Sequence, residues 1–259
     1  MIKLRVAMTV LLTAFFLSGC AVDGTTGYVT PRGGVSEDRV KAANIQVSLA
    51  QGYMARGRPE IALEHLQKAL KMNPRSANAH TVSGVLYERI NDMVNAEKHY
   101  RMAVELDATS GDMNNNLGGF LCRAGKIDES MAFFDKAVAD PFYRTPQAAL
   151  TNAGMCANSI GRSELAEAYL RRALERDPNF SSALLPMASI LHQAGDHMKA
   201  RAFAQRYEFA EGDSAEFLSL AVDIERSLGD DRAANEYASR LLATYPDSEQ
   251  ARQLKEKLK

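Results

Sequence analysis

The sequence predicts an all-α protein: a right-handed α-solenoid of six paired-helix repeats and a C-terminal capping helix. The first observation is a turn signal that recurs along the 259 residues. Its centres, which lie 34, 34, 36, 34 and 34 residues apart, are Gly57, Asn91, Gly125, Gly161, Gly195 and Gly229. The second observation is a small residue five positions after each turn, namely Ala62, Ala96, Ser130, Ala166, Ala200 and Ala234. A fixed period of this length is the signature of stacked repeats.

Each repeat is predicted to contain a first helix, a tight turn and a second helix. A further small position lies seven residues before the turn, at Ala50, Gly84, Gly118, Gly154 and Ala188, with the larger Val222 in the sixth repeat. Small residues on both sides of the turn let the two helices approach closely. Pro74, Pro178 and Pro246 follow second helices, which a proline cannot continue. With its period of 34, the pattern resembles the tetratricopeptide repeat.

The repeats are predicted to form one domain over residues 39–259. Their bounds are about 43–76, 77–110, 111–144, 147–180, 181–214 and 215–248. The polar segment 248–259 is predicted to be a helix that covers the last open face. Between the third and fourth repeats, "DPFYRTPQ" adds two residues and two prolines, so we expect an irregularity that divides the array into two sets of three.

The first 19 residues have the layout of an export signal. Two basic residues precede an apolar run at 6–17, which is too short to span a bilayer comfortably. The segment ends in "LSGC", which resembles a bacterial lipobox and implies cleavage before Cys20 and acylation of that residue. A plain signal peptide that happens to end in cysteine is the alternative. Ala21 implies forwarding to the outer membrane of a Gram-negative bacterium, on its periplasmic face.

Residues 20–38 are predicted to be a flexible, lipidated tether, because they are rich in Gly, Thr and Pro and lack apolar periodicity. Acyl chains on Cys20 would make the lipid bilayer one partner of the protein.

The composition argues against several functions. The net charge is −1, and it becomes −3 without residues 1–19, whereas nucleic-acid binding needs a basic face. No catalytic constellation and no domain outside the repeats is evident, so neither an enzyme nor a small-molecule substrate is predicted. The five histidines lack metal-binding spacing, and we expect no metal and no cofactor; they are His65, His80, His99, His192 and His197.

The stretch "NNNLGGFLC", residues 114–122, is unusual for a helix. Three asparagines and two glycines cost about 3–4 kcal/mol of helix stability relative to alanine. Gly118 is the small position of the third repeat. Asn115, Gly119 and Cys122 are predicted to line the groove formed by the first helices. Gly119 either lets a bound peptide approach the backbone closely or has a local packing cause.

The predicted partner-binding groove is a strip of mixed polarity on the first helices. Its candidate residues are Val47, Gln51, Met54, Val85, Glu88, Asn115 and Gly119. Met54 and Val85 suit an amphipathic partner segment. The first repeat offers no Lys or Arg clamp, so an acidic C-terminal tail is not the expected ligand there.

Cys122 and Cys156 lie on the first helices of successive repeats. Since such helices pack side by side, a disulfide can form if the Cα atoms come within about 7 Å, and an exported protein meets an oxidising compartment. Two buried free thiols are the alternative.

The whole chain resembles the type IV pilus biogenesis/stability lipoproteins, the PilF/PilW-type pilotins. The resemblance rests on the lipobox, the short tether, the six repeats, "NNNLGGFLC" and, one repeat later, "ALTNAGMCANSIGRSELAEAYLRRALERDP". It implies a non-enzymatic outer-membrane lipoprotein that binds the pilus secretin and promotes its localisation, multimerisation or stability. Glu225 departs from the repeat pattern, which leaves the roles of repeats five and six open. The alternative is a repeat scaffold for another envelope machine, in outer-membrane protein assembly or peptidoglycan synthesis.

Overall fold

The computed structural model describes residues 35–257, which form thirteen α-helices. Their bounds are α1 Glu37–Ala55, α2 Pro59–Met72, α3 Ala77–Arg89, α4 Met93–Leu106, α5 Gly111–Arg123, α6 Ile127–Ala139, α7 Pro146–Ser159, α8 Ser163–Arg176, α9 Ser181–Gln193, α10 His197–Glu211, α11 Ala215–Ser227, α12 Asp231–Thr244 and α13 Glu249–Lys257. The predicted signal segment, Cys20 and the tether up to residue 34 lie outside the described residues. Within 35–257, no helix combines the length and hydropathy needed to cross a membrane.

The helices pair in chain order as six repeats, and α13 packs against α11 and α12. The predicted all-α solenoid with a capping helix is therefore confirmed. One boundary was wrong, because α1 begins at Glu37 and so includes two residues assigned to the tether. Ser36 is extended at the N-cap, and Glu37 and Asp38 place negative charge in the first helical turn, where the helix dipole favours it.

The turn within each repeat is a Schellman-type C-cap, which explains the recurring glycine. The turn glycines have φ between 66° and 81°, and Asn91 has φ 61°. The residue after each turn position donates its N–H back to a carbonyl five residues earlier: Arg58 to Tyr53 at 2.9 Å and Lys126 to Leu121 at 2.8 Å. A residue in the left-handed region makes this bond possible, and glycine adopts that region without a Cβ penalty.

The small position before the turn packs against the residue sixteen positions later on the second helix. A Cβ on Gly84 would lie 2.9 Å from the ring of Tyr100, and one on Gly118 would lie 2.9 Å from the ring of Phe134. Such distances are shorter than a methyl group tolerates, so glycine is required for this spacing. In the sixth repeat the sizes are reversed, with Val222 on the first helix and Ala238 on the second.

The irregular junction between repeats three and four does not divide the array, and this prediction was wrong. Residues 35–257 belong to one compact unit, and Phe134 of α6 shares a hydrophobic core with Leu150 of α7. The two extra residues lengthen only the loop, which packs back on α5. The Asp140 carboxylate accepts the Gly111 N–H at 2.8 Å, and the Tyr143 ring lies against the Cα of Gly111.

Glu225, the departure from the repeat pattern, is buried in an ion pair. It is only 5% exposed, and its two carboxylate oxygens accept hydrogen bonds from Nε and Nη2 of Arg201 on α10, the first at 2.9 Å. A paired buried carboxylate is tolerated where an unpaired one is not. Glu225 therefore joins repeats five and six by an ion pair, at a position where the repeat pattern has an apolar residue.

One position on the second helices is aromatic in every repeat. Its occupants are His65, His99, Phe133, Tyr169, Phe203 and Tyr237. His99 stacks on Tyr87, and its Nδ1 lies 3.0 Å from Nδ1 of His80. Burial, with smaller contributions from His80 and Lys98, lowers the pKa of His99 to about 4.

The other histidine pair forms across a turn. His192 ends α9 and His197 begins α10, and their Nδ1 atoms lie 3.1 Å apart. The part of the chain that the structure describes contains no cluster of three or more His, Cys, Asp or Glu side chains suited to a metal ion.

Replacing Gly118 by alanine should lower the stability of the array. The added methyl must displace the Phe134 ring, which costs about 1–3 kcal/mol, and the loss is measured as a lower midpoint in urea denaturation. Gly52→Ala is the matched control, because a Cβ there meets no atom within 4 Å. The control should gain about 0.5–1 kcal/mol from helix propensity. Equal effects at the two sites would contradict the close packing of Gly118.

Acidification from pH 7 to pH 5 should destabilise the protein partly through His99. Below about pH 6.5 the unfolded chain binds a proton that the folded state takes up only near pH 4, so stability falls across this window. With a discount for partial exposure, the contribution is on the order of 1 kcal/mol. His99→Phe introduces the residue that the third repeat has at the equivalent position, Phe133. The thermal midpoint of this variant should fall less between pH 7 and pH 5 than that of the wild type. An unchanged pH dependence would argue against this role.

Candidate functional site: a groove along the first helices

The first helices of repeats one to four line a groove made of three adjoining depressions. The N-terminal depression, about 190 Å³, is lined by Gln51, Met54, Ala55, Val82, Val85 and Arg89. The central depression, about 330 Å³, is lined by Val85, Glu88, Arg89, Tyr100, Asn115, Asn116, Gly119, Arg123 and Asn152. The disulfide depression, about 280 Å³, is lined by Gly119, Cys122, Arg123, Phe134, Asn152, Met155 and Cys156. Neighbouring depressions share lining residues, so the groove is continuous.

An ion pair between repeats two and three crosses the central depression. Arg123 donates from Nε and Nη2 to the Glu88 carboxylate at 2.5 and 3.0 Å, and the Tyr100 hydroxyl donates to the same carboxylate at 3.0 Å. The hydrogen bonds to Glu88 raise the pKa of Arg123, and burial, with Glu88 nearby, raises that of Tyr100. Both side chains therefore keep their protons, and the guanidinium is held in one orientation.

Gly119 makes room for that guanidinium. A Cβ built on Gly119 would lie 3.3 Å from Nη1 of Arg123, and no other atom comes nearer. The second glycine of "LGG" thus leaves space for the Arg123 side chain. The sequence offered two explanations for Gly119. The structure shows a local packing partner, the Arg123 side chain, and it also shows that Gly119 lines the central depression.

The three asparagines of α5 have different environments. Asn114 is fully buried, and its amide donates to the carbonyls of Ala108 and Ser110 at 2.9 and 2.8 Å, which braces the loop before the helix. Asn115 accepts a hydrogen bond from the Asn152 amide at 3.0 Å, across the seam between α5 and α7. Asn116 lines the central depression. Amides can both donate to and accept from a peptide backbone.

Cys122 and Cys156 form a disulfide, with an S–S distance of 2.06 Å and a Cα–Cα distance of 5.9 Å. The bond joins α5 to α7 across the irregular junction and forms one wall of the disulfide depression. Met155, which is 53% exposed, adds an apolar side chain beside it.

Of the groove residues predicted from the sequence, Gln51, Met54, Val85, Glu88, Asn115 and Gly119 line the depressions. Val47 does not, and its assignment was wrong. It is 1% exposed and belongs to the core that includes Val82 and Leu86 of α3, because its position in the repeat faces the neighbouring first helix.

Sequence reasoning missed several groove residues, and the arginines matter most. The absence of a cationic clamp was inferred from the first repeat alone, whereas Arg89 and Arg123 lie in the second and third. The repeat period contained the signal: Arg89 and Arg123 are 34 residues apart, and Asn116 and Asn152 are 36 apart across the longer junction.

Comparisons with known proteins give a consistent picture. The tetratricopeptide-repeat family matches at residues 47–112 and 157–216. The type IV pilus assembly protein PilF of Pseudomonas aeruginosa is 28% identical over 242 residues, which are 93% of this chain and 94% of PilF. Among solved structures, that of PilW, a widely conserved type IV pilus biogenesis factor, is 36% identical with a TM-score of 0.75. The match covers 82% of this chain and 97% of the PilW chain in that structure. The structure of Pseudomonas aeruginosa PilF has the same TM-score at 26% identity. The match covers 85% of this chain and 100% of the PilF chain in that structure.

Removing the disulfide should destabilise the protein by about 3–4 kcal/mol, from the entropy of closing a loop of this length. Cys122→Ala, Cys156→Ala and the double variant should lose nearly equal stability in urea denaturation, because either single change already removes the bond. Additive losses would contradict the bond. Reduction of the denatured wild-type protein should expose two further reactive thiols, and their presence before reduction would also count against it.

Proposed function

The chain belongs to the family of type IV pilus biogenesis factors that includes PilW, and on this premise we propose that it acts in type IV pilus biogenesis as a non-enzymatic, pilotin-like lipoprotein. The observation that carries the proposal is the 36% identity to the PilW chain in its crystal structure, 97% of which is covered. The similarity to PilF over nearly the full length of both chains supports the same role.

The proposed partner is the pilus secretin, held in the groove along α1, α3, α5 and α7. A surface that combines apolar side chains with fixed polar groups suits a protein segment better than a small substrate. Met54, Val85 and Met155 provide the apolar contacts, and the Asn115–Asn152 pair and the Glu88–Arg123 ion pair provide oriented polar groups. In this role the protein binds the secretin and promotes its localisation, multimerisation or stability without catalysing a reaction.

The proposed location is the periplasmic face of the outer membrane, with acyl chains on Cys20 as the anchor. The support is the "LSGC" sequence after a basic and then apolar segment, followed by Ala21. Several acyl chains give stable anchoring where a single chain does not. An anchored repeat scaffold would bring its bound secretin to the same membrane.

Deletion of the gene should reduce both surface pili and the secretin multimers that resist SDS on gels, and the wild-type gene should restore them. Val85→Glu should fail to restore the multimers, because it places a charge between the N-terminal and central depressions. Cys20→Ser should leave the secretin away from the outer membrane in fractionated envelopes.

The matched control is Val94→Glu, since Val94 is 81% exposed on α4, outside the groove lining, and should restore multimers fully. Thermal denaturation of both variants checks that each is folded. Normal multimers in the deletion strain would reject the pilotin role. Failure of Val94→Glu to the same extent as Val85→Glu would reject the groove as the secretin site.

A further inference from the structure

The geometry of the central depression points to a carboxylate-binding site, and we propose that the groove binds an extended peptide segment whose Asp or Glu side chain lies between Arg89 and Arg123. Apolar side chains about three residues before and after it would occupy the flanking depressions. This inference takes one point from the proposed function, namely that the groove holds a protein segment. It does not depend on which protein the segment belongs to.

Arg123 presents one edge of its guanidinium to the groove. Its Nε and Nη2 atoms are held by Glu88, whereas Nη1 lies against Gly119 and has no acceptor among residues 35–257. Glu88 already accepts three hydrogen bonds, two from Arg123 and one from Tyr100. The pair therefore orients Arg123 and leaves Nη1 free to bind an incoming oxygen atom.

Arg89 supplies the second cation. It is exposed at the end of α3, and its one hydrogen bond is a long contact of 3.4 Å from Nη1 to the Met54 carbonyl. Within the described range 35–257, no carboxylate forms a salt bridge with it. The central depression thus holds two guanidinium groups and one carboxylate, which leaves a net charge of +1. Arginine and carboxylate groups form charge-assisted hydrogen bonds that are stronger than neutral ones.

The surrounding polar groups suit a peptide backbone. Asn116 and the Asn115–Asn152 pair lie beside Arg123 in the same depression. Their amides can donate to carbonyls and accept from N–H groups of an extended chain. Gly119 leaves the α5 backbone uncovered at this point, except for the Arg123 guanidinium.

The groove continues on both sides of the central depression, which favours a side-chain carboxylate over a chain terminus. On one side Val85 and Arg89 also line the N-terminal depression, beside Met54 and Val82. On the other side Gly119 and Arg123 also line the disulfide depression, as do the apolar Phe134 and Met155.

The spacing of the three side chains follows from helix packing. Each depression lies about one first helix further along the array, and packed helices are about 8–10 Å apart. An extended chain covers that distance in about three residues. The expected motif is therefore apolar–x–x–acidic–x–x–apolar.

The test is selection of random dodecapeptides displayed on phage against the full-length protein immobilised from detergent. Wild type should enrich the motif, and a recovered peptide with blocked ends should bind about tenfold more tightly than its Glu→Gln version, as expected for charge-assisted hydrogen bonds. Arg89→Gln and Arg123→Gln should each remove this preference. Arg89 has no carboxylate partner in the described chain, so Arg89→Gln remains informative if the Arg123 variant folds poorly.

Arg232→Gln is the matched control, because Arg232 is an exposed arginine on α12 and is not part of the groove lining; it should keep the tenfold preference. Selection of peptides without acidic enrichment, or an equal preference in Arg89→Gln, would overturn the inference. The assay contains no secretin. An acidic motif together with normal secretin multimers in the deletion strain would therefore reject the pilotin role alone, and lost multimers without an acidic motif would reject only the carboxylate site.

Discussion

The two helices of each repeat approach each other so closely that their contact sets the geometry of the repeat. Gly84, Gly118 and Gly154 each lie against a large side chain sixteen residues later, with no room for a Cβ. This contact fixes the rotation of each first helix. The residues one, four and five positions after this small residue then face the groove in the first three repeats. The groove therefore inherits the period of the core, although its chemistry changes from repeat to repeat.

The periodic part of the fold could be predicted from the sequence, because turn and packing positions recur and reinforce one another. The ion pairs between repeats could not be predicted in the same way. The orientation of Arg123 depends on Glu88, 35 residues earlier, and the tolerance of a buried Glu225 depends on Arg201, 24 residues earlier. Neither pair follows a repeat rule. The contact of Tyr143 with Gly111 lies in the one loop that breaks the period, where the repeat pattern gives no guide.

The sequence predicted which helices line the groove but not all of the lining residues, for a related reason. Adjacent positions on a first helix differ in what they face: Gln51 lines the N-terminal depression, whereas Val47, one helical turn earlier, faces the seam with α3. Hydrophobicity alone does not separate these environments. The equivalent of Val47 in the third repeat is Asn115, whose side chain bridges the same kind of seam by hydrogen bonding to Asn152.

Four of the five poor helix formers in "NNNLGGFLC" have a specific contact in the structure, and these contacts lie in or beside the middle of the groove. Asn114 braces the loop before α5, Gly118 sets the helix spacing, and Gly119 admits the Arg123 guanidinium. In a solenoid each repeat contacts only its neighbours. Here the ion pair joins α3 to α5, and the disulfide joins α5 to α7 across the longest loop between repeats in the described chain. For the peptide segment proposed above, a groove held in this way would lose little conformational entropy on binding, and preorganisation of this kind favours affinity.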